Sequence, residues 1–267
     1  MIRQAAVAGM FYPGGTKALR REVEDLLPTG EELIEGVGVV VPHAGYLYSG
    51  RVTGAVYARV NPPEACVIVG PNHSGLGAGA AVMTSGTWET PLGEVAIDTE
   101  LARAILDRSR VLEEDDRAHR KEHSIEVQLP FLQLLFPRVP FVPICLFSHE
   151  YGVCHDVGEA MGGAIQALGK RVLLIASTDM SHYVSQEMAE RKDGMVIEAI
   201  VNLDPERLHT TVLRERISMC GFHPTTAMLI AAKALGGTRA ELIRYATSGD
   251  VTKDYNSVVG YAGLIIH

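Results

Sequence analysis

Residues 67–75 read Val-Ile-Val-Gly-Pro-Asn-His-Ser-Gly, and the reading of the fold starts there. With Cys66 in front, the run is apolar at every position. A strand with one wet face alternates, whereas a strand covered by helices on both faces does not, so the run predicts a buried strand of a parallel sheet. It ends in a Gly-Pro-Asn turn that delivers His73. The same pattern recurs outward along the chain. Apolar runs occupy 37–41, 141–145 and 172–176, and the first is followed by His43, the last by Asp179 and His182. Helical periodicity appears between them at 52–60, 123–136 and 153–168, and an amphipathic stretch at 17–27 follows Thr16 as its expected N-cap. Late runs at 240–247 and 257–266 read as further strands, and short hairpin-like pieces around 80–83 and 94–97 predict a mixed sheet. The expected fold is α/β: a single domain over residues 1–267, with a central mixed, mostly parallel β-sheet flanked by helices.

Composition narrows the function. The 267 residues carry 32 acidic and 24 basic side chains, a net charge of -8. That balance argues against a nucleic-acid binder, which neutralises phosphate with Lys and Arg. The N-terminal stretch is too poor in apolar residues for a signal peptide. The most apolar long window, 130–147, holds four prolines together with Gln133 and Arg138, which no membrane-spanning helix tolerates. The four cysteines, Cys66, Cys145, Cys154 and Cys220, are far apart with no Cys-x-x-Cys, so a reducing cytoplasmic location is expected.

The histidines carry the chemistry. His43 lies two residues past one predicted strand, His73 four past another, and His182 six past a third. Ligands of open α/β sheets bind at the carboxyl ends of the strands, so these three histidines share an edge. Neutral imidazole suits Zn, Fe and Cu, and a carboxylate or thiolate completes such sites. For one histidine alone, a surface loop would be the better explanation; three in the same position relative to a strand argue for a common pocket. Glu122 and His123 open the predicted 123–136 helix, where a surface ion pair is the plainer alternative. Cys220 and His223 precede a helix expected near Pro224, whose backbone N–H groups should lower the thiol's pKa. Ser177, Thr178 and Asp179 would cap a following helix or serve the pocket, and Tyr46 and Tyr48 would line it or simply pack.

Eight short segments occur together and in order: AGMFYP (8–13), PHAGYLYSG (42–50), GPNHSG (70–75), TPLGE (90–94), EHSIEVQLPFL (122–132), STDMSHY (177–183), CGFHP (220–224) and SVVGYAG (257–263). Together they resemble the Memo family, the type found in bacteria and archaea as AmmeMemoRadiSam system protein B. The resemblance implies a fold similar to class III extradiol ring-cleaving dioxygenases of the beta-subunit type, non-haem iron enzymes with two histidines and a carboxylate on Fe(II). It implies that the metal ligands are His43, His73 and Cys220, with His182 as acid–base residue beside Asp179. His123, Glu122, Tyr46 and His223 would then be pocket residues. A thiolate in place of the carboxylate makes the site softer.

The reading expected from all this is a metal-dependent redox protein holding one transition metal ion, Fe(II) or Cu favoured over Zn, and acting on O₂ or a small organic substrate. Two rivals stand beside it. One is a binding module without turnover, whose partners would be an AMMECR1-like protein and a radical-SAM enzyme. The other is a hydrolase with Cys220 as nucleophile and His182 or His223 as base. Neither nucleic acid nor membrane is an expected partner, and the sequence leaves oligomeric state open.

Overall fold

The four apolar runs become four adjacent parallel strands at the centre of a nine-stranded sheet, in a computed structural model that describes all 267 residues. The chain begins with β1 (Ile2–Arg3), α1 (Thr16–Leu26), β2 (Gly38–Val41), α2 (Tyr46–Tyr57) and β3 (Ala65–Pro71). It continues through β4 (Ala80–Val82), β5 (Thr87–Thr90), β6 (Gly93–Ala96), α3 (Thr99–Leu106), β7 (Glu113–Glu114), α4 (Leu129–Leu135) and β8 (Phe141–Leu146). The last part contains α5 (Tyr151–Leu168), β9 (Val172–Ser177), β10 (His182–Val184), α6 (Gln186–Val201), α7 (Pro205–Arg214), α8 (Phe222–Ala234), β11 (Ala240–Thr247), α9 (Gly249–Thr252) and β12 (Val258–Ile266).

The sheet order is β10-β12-β2-β9-β3-β8-β4-β7, with β11 paired to the other side of β12. Strands β2, β9, β3 and β8 run parallel, and every residue in them is buried. Antiparallel pairing begins outside them, at β12 on one flank and β4 on the other. The register brings the strand ends level: Val41 lies opposite Ser177, and Pro71 opposite Leu146. Everything that leaves β2, β3, β8 and β9 therefore emerges at one edge. One cluster of 70 buried apolar side chains runs from Val7 to Ile266.

Local differences from the sequence expectation have local causes. The predicted 123–136 helix shrinks to α4, preceded by a short 3-10 turn at Glu126–Gln128. Pro130 stands in the first turn of α4, where its missing N–H costs nothing, but it could not continue a helix from residue 123. Thr16 is the first residue of α1 rather than its cap; Gly15 takes that place, and the Thr16 hydroxyl donates to the Pro91 carbonyl instead. No helix follows Asp179 directly. Strand β10 intervenes, and Ser185 caps α6 by accepting from the Met188 N–H. The pieces at 80–83 and 94–97 fall in different sheets. β4 joins the main one, whereas β6 pairs with β5 in a three-stranded sheet completed by β1. No helix is long and apolar enough to cross a membrane.

His119 is fully buried beneath that small sheet, and neither of its ring nitrogens has a hydrogen-bond partner. Its ring meets Trp88 edge-on at 5.7 Å. Burial, helped by the nearby Arg3 cation, holds the imidazole down at about 3. The folded value lies below the ordinary 6.5, so its stabilising contribution is present above pH 6.5 and is lost as pH falls toward about 3. At pH 5 the loss is about 2 kcal/mol. His119→Leu is expected to gain that much relative to the wild type between neutral pH and pH 5, read by urea unfolding. A difference that does not change with pH would show that His119 is not held neutral.

Candidate metal centre

Four loops converge beyond the level strand ends. The loop after β2 carries His43, the loop after β3 carries His73, the loop before α4 carries Glu122 and His123, and the loop after β9 carries Asp179 and leads to His182, the first residue of β10. Two glycines permit the approach. A Cβ on Gly70, at the end of β3, would meet the Ser124 Oγ at 2.5 Å, and a Cβ on Gly221 would meet the Ser177 carbonyl oxygen at 2.5 Å. The second keeps Cys220, at the start of α8, against the end of β9.

One ring nitrogen each from His43, His73 and His123 lies within 4.8 Å of the others, so these three residues could hold a metal ion. The His73 and His123 rings stack at 4.6 Å, and both meet His43 edge-on, at 5.2 and 5.3 Å. Cys220 lies outside that set of three. Its Sγ is 3.2 Å from His43 Nε2, and it accepts the Asp179 N–H at 3.3 Å.

The hydrogen bonds settle where the ring protons lie. The Ser177 hydroxyl donates to the Ser124 carbonyl at 2.6 Å and accepts from the Gln128 amide at 2.9 Å. Its 3.0 Å contact with His43 Nδ1 is therefore an N–H donation from the ring, which leaves a lone pair on His43 Nε2. Gln128 is itself oriented, donating to the Pro42 carbonyl and accepting from the Tyr57 hydroxyl. His73 Nδ1 lies 2.9 Å from the Glu122 carboxylate, an acceptor, so its Nε2 is also free. A carboxylate behind a histidine is the usual outer partner of a metal-bound imidazole.

Burial prepares His43 and His123, but not the exposed His73, for a cation. His43 is held well below the usual imidazole range by burial and by the neighbouring imidazoles. His123 is held at about 4 by burial, against the pull of Glu122. Burial would raise Glu122, yet the hydrogen bond with His73 and the Ser124 N–H bring it down to about 2. At neutral pH His43 and His123 are thus neutral and Glu122 is ionised, the protonation states that metal binding requires. Glu122 was read from the sequence as part of a helix start. It forms a turn instead, accepting the N–H groups of His73, His123 and Ser124.

Other expected residues take different positions. Asp179 makes no hydrogen bond to the His182 ring; its Oδ1 accepts the His43 and Ala44 N–H groups at 2.8 and 3.3 Å and so fixes the backbone of the His43 loop. Burial raises its carboxyl to about 6. His182 is oriented by Ser218, whose carbonyl accepts from Nδ1 at 2.8 Å, leaving Nε2 as the acceptor. Cys220 departs from the expectation of a lowered pKa at a helix start: burial and the Asp179 carboxylate push the thiol up. Tyr46 is buried with its hydroxyl on the Val127 carbonyl at 2.7 Å, a packing role, while Tyr48 is partly exposed. His223 is buried behind the pocket, donating from Nε2 to the Leu146 carbonyl and stacked on His149 at 5.2 Å. The cavity of about 230 Å³ that reaches Cys66 opens beside the first residues of β3 and β8, at the sheet edge opposite the histidines, and takes no part in the site.

Comparison with known proteins agrees with this architecture. The family profile described as "Memo-like protein" matches residues 3–265. A "MEMO1 family protein" of Methanopyrus kandleri is 45% identical over 279 residues, covering 99% of each chain. Another from Methanococcus maripaludis is 42% identical over 284 residues and covers 100% of both. The crystal structure of an uncharacterized protein of Escherichia coli K12 superposes with a TM-score of 0.56 at 15% identity. That match covers 85% of this chain and 98% of the other, and it bears on the fold alone.

Proposed function

The chain belongs to the Memo-like protein family, and from that premise we propose that it is a metal-dependent redox protein working at the strand-end histidine pocket. The observation that supports this reading is the convergence of His43, His73 and His123, two of them with the ring proton fixed away from the site. These residues would hold one ion, Fe(II) or Cu in preference to Zn, with Cys220 beside His43 as a further soft donor. Such an ion would supply Lewis acidity and one-electron chemistry to a small substrate.

The chain's own residues do the rest. Glu122 orients His73, Ser177 and Gln128 orient His43, and Asp179 anchors the His43 backbone. His182, fixed by Ser218, keeps Nε2 able to take up a proton and return it. The hydrolase reading loses ground, because a thiol pushed up by burial and a carboxylate is a poor nucleophile at neutral pH.

The third ligand is where the resemblance and the geometry differ, the one favouring Cys220 and the other His123. Metal content of protein purified anaerobically without chelator or histidine tag decides this. The wild type is expected to carry near-stoichiometric Fe or Cu, His123→Ala to lose it, and Cys220→Ala to retain most of it. Loss in Cys220→Ala with retention in His123→Ala would instead assign the thiolate. A wild type that arrives empty and fails to take up Fe(II), Cu(I) or Zn(II) on titration would overturn the metal reading.

A further inference from the structure

The segment 3–12 plays no part in the chemistry above, yet it is bound tightly to the loop that carries Glu122 and His123. Arg3 is 5% exposed and lies 4.2 Å over the Trp88 ring. Its guanidinium pairs with the Glu126 carboxylate, donates from Nε to the His119 carbonyl at 3.0 Å, and donates from a second terminal nitrogen to the Glu122 carbonyl. Glu126, fully buried, also accepts the Ala6 and Val7 N–H groups and the Tyr12 hydroxyl, at 2.8, 3.0 and 2.6 Å. Phe11 packs on His123 at 4.6 Å, and its carbonyl accepts from the Tyr46 N–H at 2.8 Å.

We infer that residues 3–12 form a strap whose Arg3 is a positioning residue for the histidine pocket, fixing the main chain of Glu122 so that the Glu122 carboxylate can fix the His73 ring. The inference deepens the metal reading and rests on it. Three acceptors in three directions suit the planar fork of an arginine and not the point charge of a lysine. Partners one shell behind metal-bound histidines tune affinity about 10- to 100-fold without touching the metal.

The test uses the full chain, stripped of metal and titrated with Zn(II) against a chelator. Arg3→Lys keeps the charge but loses the fork. The pair Arg3→Met with Glu126→Gln removes both charges, so no unpaired ion is left buried. Both are expected to retain the far-ultraviolet circular dichroism of the fold and to bind Zn(II) more weakly, by up to about 100-fold, since Arg3 acts through Glu122 and its replacement can cost no more than the loss of Glu122. In a Glu122→Gln background the Arg3 substitutions should cost nothing more, because Arg3 acts through Glu122. Undiminished affinity, or losses that add in full, would overturn the inference. A second readout needs no metal. The His73 Nδ1 proton, followed by nuclear magnetic resonance in the metal-free protein, is expected to exchange slowly in the wild type and rapidly in the Arg3 variants. Equal exchange in all of them overturns the strap. If the wild type binds no Zn(II), the metal reading fails while this proton still decides the strap.

Discussion

His43→Ala is expected to lower the affinity of the metal-free protein for Zn(II) by a hundredfold or more and to abolish the rise in melting temperature expected when the proposed site of the wild type takes up Zn(II). Tetrahedral zinc sites bind with about 10–16 kcal/mol shared among four ligands, so one ligand is worth about 3 kcal/mol, or more than a hundredfold. His43 is the strongest choice because its Nε2 is the ring atom left free by Ser177 and because it neighbours both His73 and His123 as well as Cys220. The fold should survive, since Ser177 keeps the Gln128 amide and the Ser124 carbonyl as partners. His223→Ala is the control: another buried histidine near the same edge, outside the proposed ligand set. Chelator competition and thermal unfolding with and without Zn(II) give the answer. Zn(II) affinity in His43→Ala equal to that of the wild type would remove His43 from the site.

The second large effect concerns stability. Glu126→Ala deletes an acceptor that serves Arg3, two backbone N–H groups and the Tyr12 hydroxyl at once, and leaves the Arg3 charge buried without its carboxylate. Breaking a buried ion pair from one side costs about 3–5 kcal/mol. At an unfolding entropy of about 2.1 cal/mol/K per residue, that corresponds to a fall of roughly 5–9 °C in melting temperature for a chain of this size. Arg3→Met combined with Glu126→Leu should recover part of the loss, because paired replacement of buried ions by apolar groups removes the uncompensated charge. Scanning calorimetry of the three proteins measures this. A fall of only a degree or two for Glu126→Ala would mean that the carboxylate is not the hub of the N-terminal segment.

The parts of this molecule that could be read in the sequence are those governed by periodicity. The four fully apolar runs could belong to little else than a covered parallel sheet, and His43, His73 and His182 follow from counting past their ends. The order β2-β9-β3-β8 could not be read, because a crossover strand can insert on either side of its predecessor and both choices bury the same side chains. Pairwise polar geometry was equally hidden. Arg3 reaches partners 116 to 123 residues away, and no local pattern marks such a contact. Asp179 looked like a cap or a partner of His182, and only the folded chain shows it holding the His43 backbone. His123 was visible as a pocket residue, but its place beside His43 and His73 depends on the Glu122 turn, which replaces the expected first turn of a helix.

The position of β12 has a consequence for how the molecule is made. This strand, formed by residues 258–266, lies between β11 and β2, and β2 leads straight into His43. A growing chain therefore exposes an unpaired flank of β2 until residue 266 has cleared the ribosome. Sequence-distant pairing of this kind is slow and leaves apolar edges open to aggregation in the meantime. The edge of β2 that leads into His43 is thus covered only once β12, the last strand in sequence order, has been made.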